Sequence, residues 1–125
     1  QAMLTREWAY SLACLEKQCG AVFLNTTIES FVARHPSEIQ KLHRYLEEEN
    51  WDKLELAAHS MKSMLATLGL MHLARLSTEL EAIASSQDRI LIEPTIRQFR
   101  IDSRRTYQLL VNYVKLEFQS CEKAS

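Results

Sequence analysis

A chain of 125 residues, 46% of them hydrophobic, is the size of one domain and can bury a core without disulfide or metal staples. Its 15 Lys and Arg against 16 Asp and Glu leave a formal net charge of -1, which removes the basic footprint expected of a dedicated nucleic-acid binder. Two glycines and two prolines are too few for a turn-rich all-β fold, and the apolar content argues against a disordered chain.

The first predicted element carries Leu4, Trp8, Leu12 and Leu15 at helical spacing and should end near the Cys19-Gly20 pair. A second stripe runs Leu24, Ile28, Phe31, His35, Ile39, Leu42, Leu46, and its phase is unbroken across Pro36. One long helix, kinked at the proline, is therefore preferred over two helices broken before it. Glu47, Glu48 and Glu49 crowd its negative end and read as solvated. Asn50 offers an N-cap, with Asp52 in the first turn, for a helix bearing Leu54, Ala57, Ala58, Met61, Leu65 and Leu68 on one face, and Gly69 caps its end. After a tight turn, Leu73, Leu76, Leu80 and Ile83 define a fourth stripe that stops at the polar run 85–88. Pro94 sits near the first turn of a last helix with the stripe Ile96, Phe99, Ser103, Tyr107, Leu110, Val114, Phe118. The expectation is an all-α, up-and-down, antiparallel four-helix bundle with a short additional N-terminal helix, forming one domain over residues 1–125.

Cys14, Cys19 and Cys121 are odd in number and none lies in a C-x-x-C pair, so they read as reduced thiols in a cytosolic setting. No apolar run approaches the roughly 20 residues of a membrane span, and no signal-peptide pattern opens the chain. Gln1 and Ala2 ahead of Met3 read as additions to a segment cut from a longer protein, which sets residues 1–3 apart from the domain.

One helix poses a question. At 100° per residue, His59 lies about 160° around its helix from Met61 and about 120° from Leu65, so it faces away from the core stripe. Lys62 stands one turn along on that outer face, and Ser63 and Ala66 continue it as small side chains. The result is an accessible imidazole beside a cation, which by itself is a common surface feature.

The stretch "AAHSMKSMLATLGLMHLARLSTELE", residues 57–81, resembles the signature of the histidine-containing phosphotransfer (HPt) domain. Ala58, His59, Lys62, Gly69, Leu73, Leu80 and Glu81 match that signature by position, and residues 31–59 resemble the segment that precedes it in the family. Ser63 departs from it, standing where the family usually has a glycine that lets a partner backbone come close.

The resemblance implies a phosphorelay carrier, without kinase activity of its own, which takes a phosphoryl group from the aspartyl phosphate of a receiver domain and passes it to another. It makes His59 the phosphoacceptor and Lys62 the charge that neutralises the phosphoryl oxygens. Glu81 would orient the imidazole through Nδ1 and stabilise a transient cationic ring, the alternative being a plain surface carboxylate. Leu56, Ser63, Ala66, Gly69 and Leu70 form the implied docking patch, although core burial competes for Leu56 and Leu70. The partners implied are response-regulator receivers, with no nucleic acid and no direct membrane contact. No cofactor is expected on this chain, Mg²⁺ being supplied by the receiver, and the isolated domain is expected to be monomeric. The setting implied is cytoplasmic, either as a free carrier or as the cytoplasmic module of an inner-membrane hybrid sensor kinase, the second being preferred for the residues ahead of Met3.

A non-phosphorylated helical adaptor that binds a receiver or kinase through the same surface is the competing reading. A histidine kinase's dimerisation bundle is disfavoured because the histidine motif differs and no ATP-binding motif follows. His35, on the apolar stripe, reads as a partly buried, hydrogen-bonded histidine, and His43 and His72 show no ligand spacing with His59. Arg97, Arg100, Arg104 and Arg105 give the last helix a basic side.

Overall fold

The computed structural model describes residues 6–124, with side chains between 8 and 113 except 9 and 11. Leu4, Val114, Phe118, Cys121 and residues 1–3 therefore lie outside what can be compared with the expectations above. Five helices follow in order: α1 (Arg6–Cys19), α2 (Ala21–Glu47), α3 (Trp51–Thr67), α4 (Met71–Ala84) and α5 (Arg89–Ala124). Helices α2 to α5 pack in a ring, each against the next and α5 back against α2, while α1 lies on α2. The architecture is the expected all-α up-and-down bundle.

Its core is built from the stripes the sequence displays. Leu24, Ile28, Phe31 and Leu42 of α2 meet Leu54 and Leu65 of α3, Leu73 and Leu80 of α4, and Ile92, Phe99 and Leu110 of α5. The N-terminal helix is tied down by Trp8, whose indole nitrogen donates to the Leu68 carbonyl at 2.9 Å. Pro36 sits inside α2 as one exposed residue of a continuous 27-residue helix. Its missing N–H is tolerated because solvent reaches that face and the apolar stripe on the other face continues to pack.

The connections explain how the helices reverse. Beyond α3, Leu70 N donates to the Leu65 carbonyl at 2.9 Å and Gly69 N to Ala66 at 3.0 Å, with Gly69 at φ 75°. That is a Schellman cap, which places its next residue, Leu70, back against the helix it has just left. The end of α2 repeats it: Asn50 N reaches Tyr45 at 2.9 Å and Glu49 N reaches Leu46 at 3.1 Å, but here a glutamate holds the left-handed position at φ 53°. Asn50 caps α3 as expected, its side chain accepting from Lys53 N at 3.3 Å.

One expectation is made more definite and one needs correction. The last helix begins at Arg89, five residues ahead of Pro94, because the Asp88 carboxylate accepts from Ile90 N at 3.0 Å and supplies the cap. Pro94 thus lies in the second turn. The glutamates at the end of α2 are also more than solvated charges: Arg89 reaches Glu47 at 3.1 Å, Glu49 at 4.0 Å and the Leu46 carbonyl at 3.3 Å, joining that end of the bundle to the start of α5.

Candidate functional site

His59 is held near the middle of α3 by the burial of its neighbours Ala58 and Met61, which points its own side chain outward with 60% of its surface exposed. Glu81 projects from α4 on the adjoining face and is only a quarter exposed. Its Oε2 lies 2.8 Å from His59 Nδ1, and its Oε1 accepts from Lys62 Nζ at 3.0 Å. One carboxylate therefore joins the histidine and the lysine that the helix places one turn apart.

Charge follows from this geometry. The hydrogen bond from Lys62, then that from His59, holds the Glu81 carboxyl below the usual range against a smaller opposing effect of burial. An ionised carboxylate only accepts, so the hydrogen of the His59 contact belongs to Nδ1 and the lone pair to Nε2. The arrangement offers solvent a nucleophilic ring nitrogen, an oriented ring and an ammonium group one helical turn away.

Leu56 is 65% exposed and lies one turn before His59, with Ser63 and Ala66 exposed one and two turns after it and Gly69 half-buried in the turn beyond. Leu70 belongs elsewhere. At 7% exposure it is a core residue, the apolar side chain that closes the Schellman cap, so its assignment to the outer patch is corrected. A groove between α2 and α3, lined among others by Phe31, Arg34, Ser60, Ser63 and Met64, borders the patch. Sequence reasoning did not find it, since it needs the register of two helices.

His35 also differs from expectation. It is buried to 3% exposure, stacked on Phe31 at 4.4 Å between ring centroids, and its Nε2 has no hydrogen-bond partner. Burial pushes its pKa down to about 4, so it is a neutral core ring. A second histidine pair went unread because its members lie 30 residues apart on different helices: His72 Nε2 is 2.6 Å from Asp102 Oδ2, which also accepts from Gln98. Burial raises the Asp102 carboxyl, but the hydrogen bonds from Gln98 and His72 outweigh it and the net shift is downward. Among the described residues no group of three or more His, Cys, Asp or Glu side chains could hold a metal ion.

The Hpt domain family model matches residues 27–112, more than half of the chain and all of α3 and α4. The chain belongs to the Hpt domain family. The matched span of this Hpt domain runs from α2 into α5 and includes His59, Lys62 and Glu81, while α1 lies outside it. No curated protein and no solved structure matches the chain significantly. Hpt domains mediate phosphorelay signalling between receiver domains.

Proposed function

We propose that this Hpt domain carries a phosphoryl group on Nε2 of His59, accepting it from the aspartyl phosphate of one response-regulator receiver and delivering it to another. The observation that carries the reading is the contact between His59 Nδ1 and Glu81 at 2.8 Å, which leaves Nε2 exposed with its lone pair free. Phosphoryl transfer asks the carrier mainly for in-line positioning and for charge near the equatorial oxygens. Orientation by Glu81 meets the first need and the Lys62 ammonium the second. The receiver brings the metal ion and the aspartate.

Leu56, Ser63, Ala66 and Gly69 support docking in this reading, with small side chains beside His59 that let a partner surface approach. Ser63, in the place of a family glycine, adds a hydroxymethyl group one turn from the histidine. No helix among the described residues is long and apolar enough to cross a membrane. A cytoplasmic setting, and a single domain over 1–125, belong to the same proposal.

Incubation with a phosphorylated receiver and Mg²⁺ should move label onto the wild-type domain as acid-labile phosphohistidine. The His59→Gln variant should take up none. Label on that variant would sink the assignment, and tight binding without any phosphohistidine would favour an adaptor instead.

A further inference from the structure

The pair formed by His72 and Asp102 repeats, on the next two helices, the arrangement around His59, and the carrier reading makes no use of it. In both places a histidine stands 60% exposed on one helix, a cation follows three residues later, and a carboxylate of the next helix holds one ring nitrogen. His59 has Lys62 and Glu81; His72 has Arg75 and Asp102, the latter at 2.6 Å. The two pairs bridge different helices, because Glu81 comes from α4 and meets α3, whereas Asp102 comes from α5 and meets α4.

The held nitrogen also differs. Asp102 takes a hydrogen bond from His72 Nε2, and the Gln98 amide donates to both of its oxygens at 3.0 Å. Against burial, which raises it, the hydrogen bonds from Gln98 and His72 and the charge of Arg105 hold the Asp102 carboxyl below its usual range. An ionised carboxylate only accepts, so the His72 ring keeps its hydrogen on Nε2 and presents its lone pair on Nδ1. Arg75 lies one turn along α4 and Arg105 one turn beyond Asp102 on α5, both exposed, so an anion on this ring would have two cations nearby.

We infer that His72 is a second phosphoacceptor, taking a phosphoryl group on Nδ1 from small phosphoramidate-class donors, with Asp102 fixing which nitrogen reacts. Nδ1 gives its lone pair to phosphorus, the P–N bond of the donor breaks, and the electron pair leaves with nitrogen. A donor already protonated on that nitrogen releases neutral ammonia. The ring becomes a phosphoimidazolium whose remaining hydrogen, on Nε2, already faces the Asp102 charge, while Arg75 and Arg105 offset the phosphoryl oxygens. The donor is small because a receiver seated over Leu56, Ser63 and Ala66 on α3 is placed for His59, and His72 lies in the first turn of α4, beyond the turn that ends α3.

A histidine paired with a carboxylate can also serve only to join two helices, and the two roles differ in what they do to reactivity. The His59→Gln domain, which lacks the first site, would be treated with phosphoramidate and its phosphohistidines followed by ³¹P NMR, with ¹⁵N shifts telling Nδ1 from Nε2. His43, exposed on α2 and paired with no carboxylate among the described residues, is the internal reference. His72 should take label about ten-fold faster than His43, since an adjacent carboxylate favours the forming cationic ring, and the label should sit on Nδ1. Asp102→Asn in the same background, checked for its helical circular dichroism, should bring the rate down to that of His43 and spread label over both nitrogens. Adding His72→Gln instead should remove the signal. Equal rates at His43 and His72, or label on Nε2 of His72 with Asp102 present, would overturn the inference and leave the pair as a join between α4 and α5. The carrier reading is decided separately, by receiver-dependent label on His59.

Discussion

Leu56 and Leu70 are the same residue type, one inside the histidine helix and one just beyond its end, and they have opposite fates. Leu56 stands 65% exposed one turn from His59, whereas Leu70 is 7% exposed. Leu70→Ala removes buried methyl groups and should destabilise the domain by roughly 2–5 kcal/mol in urea unfolding. Leu56→Ala should stay within about 0.5 kcal/mol of wild type by the same measurement, yet weaken receiver binding in calorimetry. Equal stability losses would show that Leu56 packs in the core after all. Their difference was legible in part: a leucine directly after a glycine cap is the apolar partner of a Schellman turn, and that spacing was present at Gly69-Leu70. His59 and Lys62 could be placed on an outer face from helical phase alone. Glu81 could not, because no periodicity within one helix tells which residue of the next helix lies opposite. Its place in the site came from the family resemblance, and the structure shows the contact.

Helix reversals are where local chemistry and the overall course of the chain meet. The turns after α2 and α3 use the same backbone hydrogen bonds, but one has Gly69 at φ 75° and the other Glu49 at φ 53°. A residue with a Cβ pays about 1–2 kcal/mol in this left-handed region, partly offset in a comparison with glycine by glycine's greater freedom when unfolded. Glu49→Gly should therefore stabilise by about 0.5–1 kcal/mol and Gly69→Ala destabilise by about 1 kcal/mol. In thermal melts this appears as midpoint shifts of about 2–4 °C in opposite directions. Shifts of the same sign would mean that the pairing of Glu49 with Arg89 outweighs backbone strain. Helix existence and facing were readable because the apolar stripes keep phase, even through Pro36. The start of α5 at Arg89 could not be read from Pro94, because Asp88, whose carboxylate caps the first turn at Ile90 N, lies in the polar run read as the end of α4.

At the scale of the whole molecule, the bundle buries one ionisable ring in its interior. His35 stacks on Phe31 and lies 6.3 Å from Phe99 of α5, with burial lowering its pKa to about 4 from an ordinary 6.5. The unfolded chain therefore binds a proton on His35 at a pH where the folded bundle does not. Stability from this residue is fully present above about pH 6.5 and is lost as pH falls toward 4, by an amount on the order of 3 kcal/mol. Glu81 and Asp102, whose carboxyls are held low, act in the same direction but in a more acid window, since their contribution is lost only as pH falls below the ordinary carboxylate range toward their folded values. The two windows separate the causes. Urea unfolding of wild type at a series of pH values from 7 to 4 should show a steady loss across the histidine window. His35→Leu, which suits the apolar stripe and cannot titrate, should stay level until the carboxylates begin to protonate. Parallel curves for the two proteins would mean that water or a local opening already satisfies the His35 ring in the folded bundle. Divergence above pH 5 would assign the acid sensitivity of the fold to a core residue on α2. The same residue supports Phe31, which lines the groove between α2 and α3 beside His59.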